Sequence, residues 1–96
     1  MTLTTTIDGA KATIAIVGWL NAKTAPEFAK ALEELDSSVK EIVMDFAELE
    51  YISSAGLRQL VAANRKTDGH LTIMNVPTDV MAMFELAGFS QLARFV

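Results

Sequence analysis

Two adjacent hydroxyls carry the chemical signal of this chain. They sit in Tyr51-Ile52-Ser53-Ser54-Ala55-Gly56-Leu57-Arg58. A Ser at a helix start can accept from backbone N–H groups. The unsatisfied N–H groups and the positive end of the helix dipole favour an anion there. Ser54 is expected to cap a helix and to be a position where a phosphate is tolerated. Arg58, one turn on, would add a charge-assisted contact. Gly56 is expected to keep the surface near Ser54 low and to let another backbone approach. The plainer reading is a helix cap and a close contact, and local physics alone favours it.

Other chemistry is poorly supported. A Ser nucleophile needs an adjacent base and an oxyanion site. The single His, His70, is expected at a strand start on the edge opposite Ser54, so no catalytic residue is assigned and the protein is not expected to be an enzyme. Asp45, Glu48 and Glu50 could be imagined as a magnesium cluster. No phosphate-cradling Gly loop accompanies them, and a solvated loop is expected, with no metal and no cofactor. Absence of cysteine excludes a disulfide framework and a cysteine-ligated metal.

Positioning these residues requires one core. The chain has 96 residues, 51% hydrophobic and 21% charged, which fits a single globular domain over 1–96. Net charge is -4 and Lys and Arg do not cluster, so direct nucleic-acid binding is not expected. The first residues lack the basic and apolar regions of a signal peptide, and no apolar run approaches the ~20 residues that span a bilayer. A cytoplasmic protein without membrane insertion is expected.

Thr2 to Ile7 and Lys11 to Gly18 read as strands separated by the hairpin signal Asp8-Gly9. Thr24-Ala25-Pro26-Glu27 reads as a capping box, opening a helix with Phe28, Ala31, Leu32 and Leu35 on one stripe. Glu41 to Phe46 is a short buried strand. A second helix is expected from Ser54 or Ala55 to about Thr67, with Leu57, Leu60 and Val61 buried and Asp68-Gly69 ending it. Leu71 to Val76 is a strand. Pro77-Thr78-Asp79 opens a third helix burying Val80, Met83, Phe84 and Ala87, with Gly88 as its C-cap. The tail, Ala93 to Val96, is a candidate last edge strand. The expected fold is α/β, in the order β-β-α-β-α-β-α. It is a single-layer mixed sheet of four to five strands with about three to four helices packed on it. Sites in such sheets form beyond the carboxyl ends of parallel strands: here the loops Trp19 to Lys23 and Ala47 to Ser54, and the turn at Pro77. Asn21 and Ser54 are expected at one edge.

The segment Asp45 to Leu57, ending in Ile-Ser-Ser-Ala-Gly-Leu, resembles the signature of STAS domains, and more closely that of bacterial anti-sigma factor antagonists. The resemblance extends to Gly18-Trp19-Leu20-Asn21 and to Ala87-Gly88-Phe89. It implies a partner switch in transcription regulation. The unphosphorylated protein would bind an anti-sigma factor that is also a serine kinase with a histidine-kinase-like ATPase fold. Phosphorylation would release it, and a serine phosphatase would reset it. The family's phosphoacceptor position falls on Ser54, with Ser53 as the alternative. The partner surface is expected at Asn21, Ser53, Ser54, Ala55, Gly56, Leu57 and Arg58, with Trp19, at the same edge and of a type enriched at interface hot spots, a candidate for a partner contact or for the core. Many relatives carry acidic residues where this chain has Asn21 and Ser53. The resemblance also admits an unphosphorylated STAS adaptor, for example beside an ABC transporter ATPase in lipid trafficking. Met81 and Met83 are candidates for an adaptable surface or for core packing.

Overall fold

The β-branched runs of the first twenty residues close into an antiparallel hairpin in the computed structural model, which describes residues 1–96. Strand β1 (Thr2–Asp8) pairs with β2 (Lys11–Leu20) from Thr2↔Val17 to Asp8↔Lys11. The two-residue turn is therefore Gly9-Ala10, one position later than Asp8-Gly9. Gly9 holds φ +60, as the first central residue of a type II′ turn requires.

Three more strands add in parallel: β3 (Glu41–Ile52), β4 (Leu71–Met74) and β5 (Arg94–Phe95). Their order in space is their order in sequence. Helices α1 (Ala25–Glu33), α2 (Ser54–Lys66) and α3 (Thr78–Leu86) make the crossovers. Each crossover steps one strand in the same direction, and right-handed connections then put all three helices on one face of the sheet. The buried side chains agree. Ala12, Ile14, Ile42, Met44, Leu71 and Ile73 pair across the sheet and share one core with Phe28, Leu60, Val80 and Phe84.

This is the expected mixed sheet of five strands with three helices, and the tail does form an edge strand. Four local readings need correction. The segment Ala47 to Ile52 is strand, not loop. It pairs with β2 through Leu20↔Ile52, and the register shifts between Ala15 and Val17 and again between Gly18 and Trp19. Each shift leaves one extra residue on β3, so burial there falls at Phe46, Leu49 and Ile52, and period-two alternation is lost. Strand β4 stops at Met74 because Asn75 turns left-handed, φ +58. The Thr24 capping box does not form, since Thr24 makes no side-chain cap to α1. Ala87 is exposed beyond the end of α3, with Gly88 following at φ +75.

Past α1, the turn is tied by Asp36. Its carboxylate accepts from the Ser38 N–H and the Ser37 hydroxyl, and the Ser38 backbone bond most of all holds its pKa below the usual carboxylate value.

Phe84 of α3 is fully buried between the rings of Phe46 (centroids 6.3 Å) and Phe95 (5.4 Å). Phe84→Ala should cost about 3–5 kcal/mol, read as a lowered urea midpoint with the slope retained.

Candidate functional site

The site is built where β2 and β3 end together. Leu20 and Ile52 are register partners and both are buried. The Ser53 N–H donates to the Leu20 carbonyl at 2.9 Å, carrying the pairing one residue past the strand. Helix α2 then turns back over this seam. Gly56 lies so close that a Cβ there would sit 2.7 Å from the Leu20 carbonyl oxygen and 2.7 Å from Ile52 Cγ1. The backbone that Gly56 admits is thus the chain's own, and Gly56 is buried rather than lowering an outer surface.

That docking separates the two serines. Ser53 is the N-cap, extended at φ -97 and ψ 176, and its Oγ accepts from the Gly56 N–H at 3.4 Å. Ser54 is not the cap, as the sequence suggested, but the first residue of α2. It is exposed, and its hydroxyl makes no hydrogen bond within the chain. The cap serves Gly56, and the Leu57 N–H reaches the Ser53 carbonyl at 2.9 Å. The N–H groups of Ser54 and Ala55 are left without an acceptor in the chain. No acidic residue lies in the first turn of α2. An anion on the Ser54 side chain would meet the helix dipole and two open donors.

Asn21 follows Leu20 and is spent on its own turn. Its Oδ1 accepts from the N–H groups of Lys23 (3.0 Å) and Thr24 (3.1 Å), an Asx turn. The Thr24 hydroxyl donates to the Trp19 carbonyl at 2.9 Å, and its oxygen accepts from the Asn21 N–H at 2.9 Å. Thr24 thus locks the loop that follows β2, a role masked in the sequence by its resemblance to a cap.

Trp19 and Tyr51 are also register partners. Alternation with Leu20 and Ile52 turns them to the sheet face away from the helices. Their rings lie 5.0 Å apart at 41°, and they are 53% and 37% exposed. Tyr51 was not among the sequence candidates; only the bulged register of β3 brings it beside Trp19. Of the others, Arg58 is exposed and Ala55 half-buried, while Leu57 is buried in the core. Gly56 and Leu57 therefore seat the helix and offer no contact surface. His70 lies at the far end, where its carbonyl accepts from the Ile42 N–H. Asp45 accepts from Ala47 N–H and from Asn75 Nδ2. Met81 and Met83 are half-buried against the core.

The family model described as "Mlab, STAS domain" matches residues 3–94. The chain belongs to the STAS domain family. It is 36% identical over 76 residues to a protein named as the anti-sigma factor antagonist BtrV of Bordetella bronchiseptica. That match takes in 75% of this chain and 66% of BtrV, just under two thirds of the relative's length. Its fold is similar to the solved anti-sigma factor antagonist of Mycobacterium paratuberculosis, with TM-score 0.83, 18% identity, and 98% of this chain and 83% of that one covered. It is also similar to the Bacillus determinant SpoIIAA in its phosphorylated form, with TM-score 0.67, 14% identity, and 99% and 91% covered.

The two serines should separate in stability measurements. Ser53→Ala removes the cap and should cost about 0.5–2 kcal/mol, whereas Ser54→Ala should stay within about 0.5 kcal/mol of wild type. Gly56→Ala forces the seam apart and should cost about 1–3 kcal/mol. Urea unfolding of the three variants checks all of these.

Proposed function

We propose that the chain is an anti-sigma factor antagonist that works by partner switching, with Ser54 as the phosphoacceptor. One observation supports this above the others. Ser54 presents a free, exposed hydroxyl at the first position of α2, while its neighbour Ser53 is occupied as the cap. A kinase needs a hydroxyl it can reach: Ser54 is exposed, whereas Ser53 is half-buried and its Oγ already accepts the Gly56 N–H. The docking surface on this reading comprises Asn21, Ser53, Ser54, Ala55 and Arg58, with Trp19 at its border. The partner is an anti-sigma factor with serine kinase activity and a histidine-kinase-like ATPase fold, and a serine phosphatase resets the switch in the cytoplasm.

The energetics follow from charge. Phosphorylation adds about -1.5 to -2 charge at neutral pH. In the free protein that charge is solvated and faces the N-terminus of α2. Against a packed interface it must be desolvated. The free state gains while the bound state loses, so the equilibrium moves to release.

A second reading has its own support. Asn21 and Ser53 are both consumed by local structure, so no carboxylate at those positions aligns the Ser54 hydroxyl. An unphosphorylated adaptor, held on an ATPase of a larger complex, fits that arrangement.

Titration against anti-sigma kinases from the same organism, with and without ATP, separates the readings. Switching predicts one phosphate by intact mass on wild type and Ser53→Ala, and none on Ser54→Ala. It also predicts that Ser54→Asp binds at least about tenfold more weakly than Ser54→Ala, about 1.4 kcal/mol. The fluorescence of Trp19, the single tryptophan, reports the binding. Equal binding by all variants with no phosphate transferred would overturn switching and leave the adaptor.

A further inference from the structure

Strand β1 is the long edge of the sheet and nothing covers it. It pairs with β2 on one side only. Its register runs unbroken through seven residues, with no bulge. Thr2 to Ile7 contains no charge and no proline. Soluble proteins normally blunt such an edge with charge, proline, a bulge or extreme shortness. The opposite edge is blunted, since β5 has two residues and one is Arg94. Ile7, moreover, is 54% exposed. It borders a cleft of about 380 Å³ between β1 and the end of α1, lined by Thr5, Ala31, Leu35 and Val39, with Glu34 and Asp36 at its rim.

We propose that β1 pairs antiparallel with β1 of a second copy of this chain, about a two-fold axis through Thr5, joining two five-stranded sheets into one of ten strands. The occupant follows from self-complementarity. An antiparallel pair places residues of one face opposite each other. Leu3, Thr5 and Ile7 share the helical face, because their partners on β2 are Ile16, Ile14 and Ala12. With Thr5 on the axis, Leu3 of each copy faces Ile7 of the other, so both exposed Ile7 side chains are covered and both helical layers stay on one face. Thr4 faces Thr6 in the same register, and no charge faces a like charge. The alternative centre at Thr4 sets Leu3 against Thr5 and Ile7 against Met1, and pairs only Thr2 to Thr6 within the strand instead of all seven residues. The two acidic cleft rims lie near the two Ile7 residues, about 14 Å apart along the strand at 3.4 Å per residue, beyond the Debye length of about 8 Å at physiological salt.

A single seven-residue strand pair falls below the roughly 1,200 Å² of a standard interface, so association should be concentration-dependent. The carboxyl ends of β2 point in opposite directions in the pair, and each Ser54 surface remains open. The inference therefore stands whether or not Ser54 is phosphorylated.

Sedimentation velocity of the wild type from about 5 μM to about 500 μM, spanning weak interfaces of this size, should show monomer passing to dimer. Thr5→Lys and Thr5→Glu place like charges on the axis, and each alone should remain monomeric while keeping the wild-type circular dichroism. Their equimolar mixture should restore a heterodimer. The chain has no cysteine, so Thr5→Cys should oxidise to a covalent dimer, and Thr4→Cys, which faces Thr6, should do so far less. A wild type that stays monomeric throughout overturns the proposal. So does a dimer that survives Thr5→Glu, or cross-linking equal at positions 4 and 5.

Discussion

The candidate site of this protein hangs on one close approach, that of the Gly56 backbone to the Leu20 carbonyl. Any side chain at position 56 would collide with that oxygen and with Ile52. With none, α2 can lie directly on the last register pair of β2 and β3. Its axis and its rotation are then fixed together. Leu57 and Leu60 turn into the core, Ser53 is held between the Leu20 carbonyl and the Gly56 N–H, and Ser54 is left pointing out. The division of labour between two chemically identical neighbours is thus a packing consequence. Their own chemistry does not distinguish them.

This explains what the sequence could and could not reveal. The hairpin, the order of strands and helices, and the common edge of Asn21 and Ser54 follow from period, turn signals and crossover handedness, all local or topological rules. The second half of β3 does not follow. Its two bulges each insert a residue, so Glu48, Glu50 and Tyr51 look like a polar loop when read with period two. The loss carries over to Tyr51, whose pairing with Trp19 exists only in the shifted register. Thr24 misleads for a different reason. Thr and Glu three apart satisfy the pattern of a capping box, but Asn21 already supplies the acceptor for the Thr24 N–H. The Thr24 hydroxyl is drawn instead to the Trp19 carbonyl. Two local motifs compete for the same few donors, and the one anchored to the strand end wins.

The same hydrogen bonds bear on how charge would act at Ser54. Asn21 and Ser53 both turn their oxygens onto backbone N–H groups, so neither projects a negative group toward the helix start. The N-terminus of α2 keeps its positive end uncompensated, with no acid in its first turn. An added phosphate would therefore be stabilised in the free protein by a field that a carboxylate neighbour would partly cancel. On the proposed reading the cost would fall on the kinase side, where no chain carboxylate at these positions is available to orient the hydroxyl. Residues that would ease accommodation of a phosphate here would give no help to its transfer.

Topology keeps this end separate from the rest of the surface. Because every crossover steps the same way, the helices share one face and the chain leaves both sheet edges at its own ends: β1 at the start and β5 at the finish. Only β1 is long and regular, and it is uncharged from Thr2 to Ile7. Its strand axis runs alongside β2, so a partner added there extends the sheet sideways and does not cross the carboxyl ends where α2 is seated. The proposed edge pairing and the proposed docking at Ser54 would draw on perpendicular directions of the same sheet. On that geometry neither proposed surface would obstruct the other.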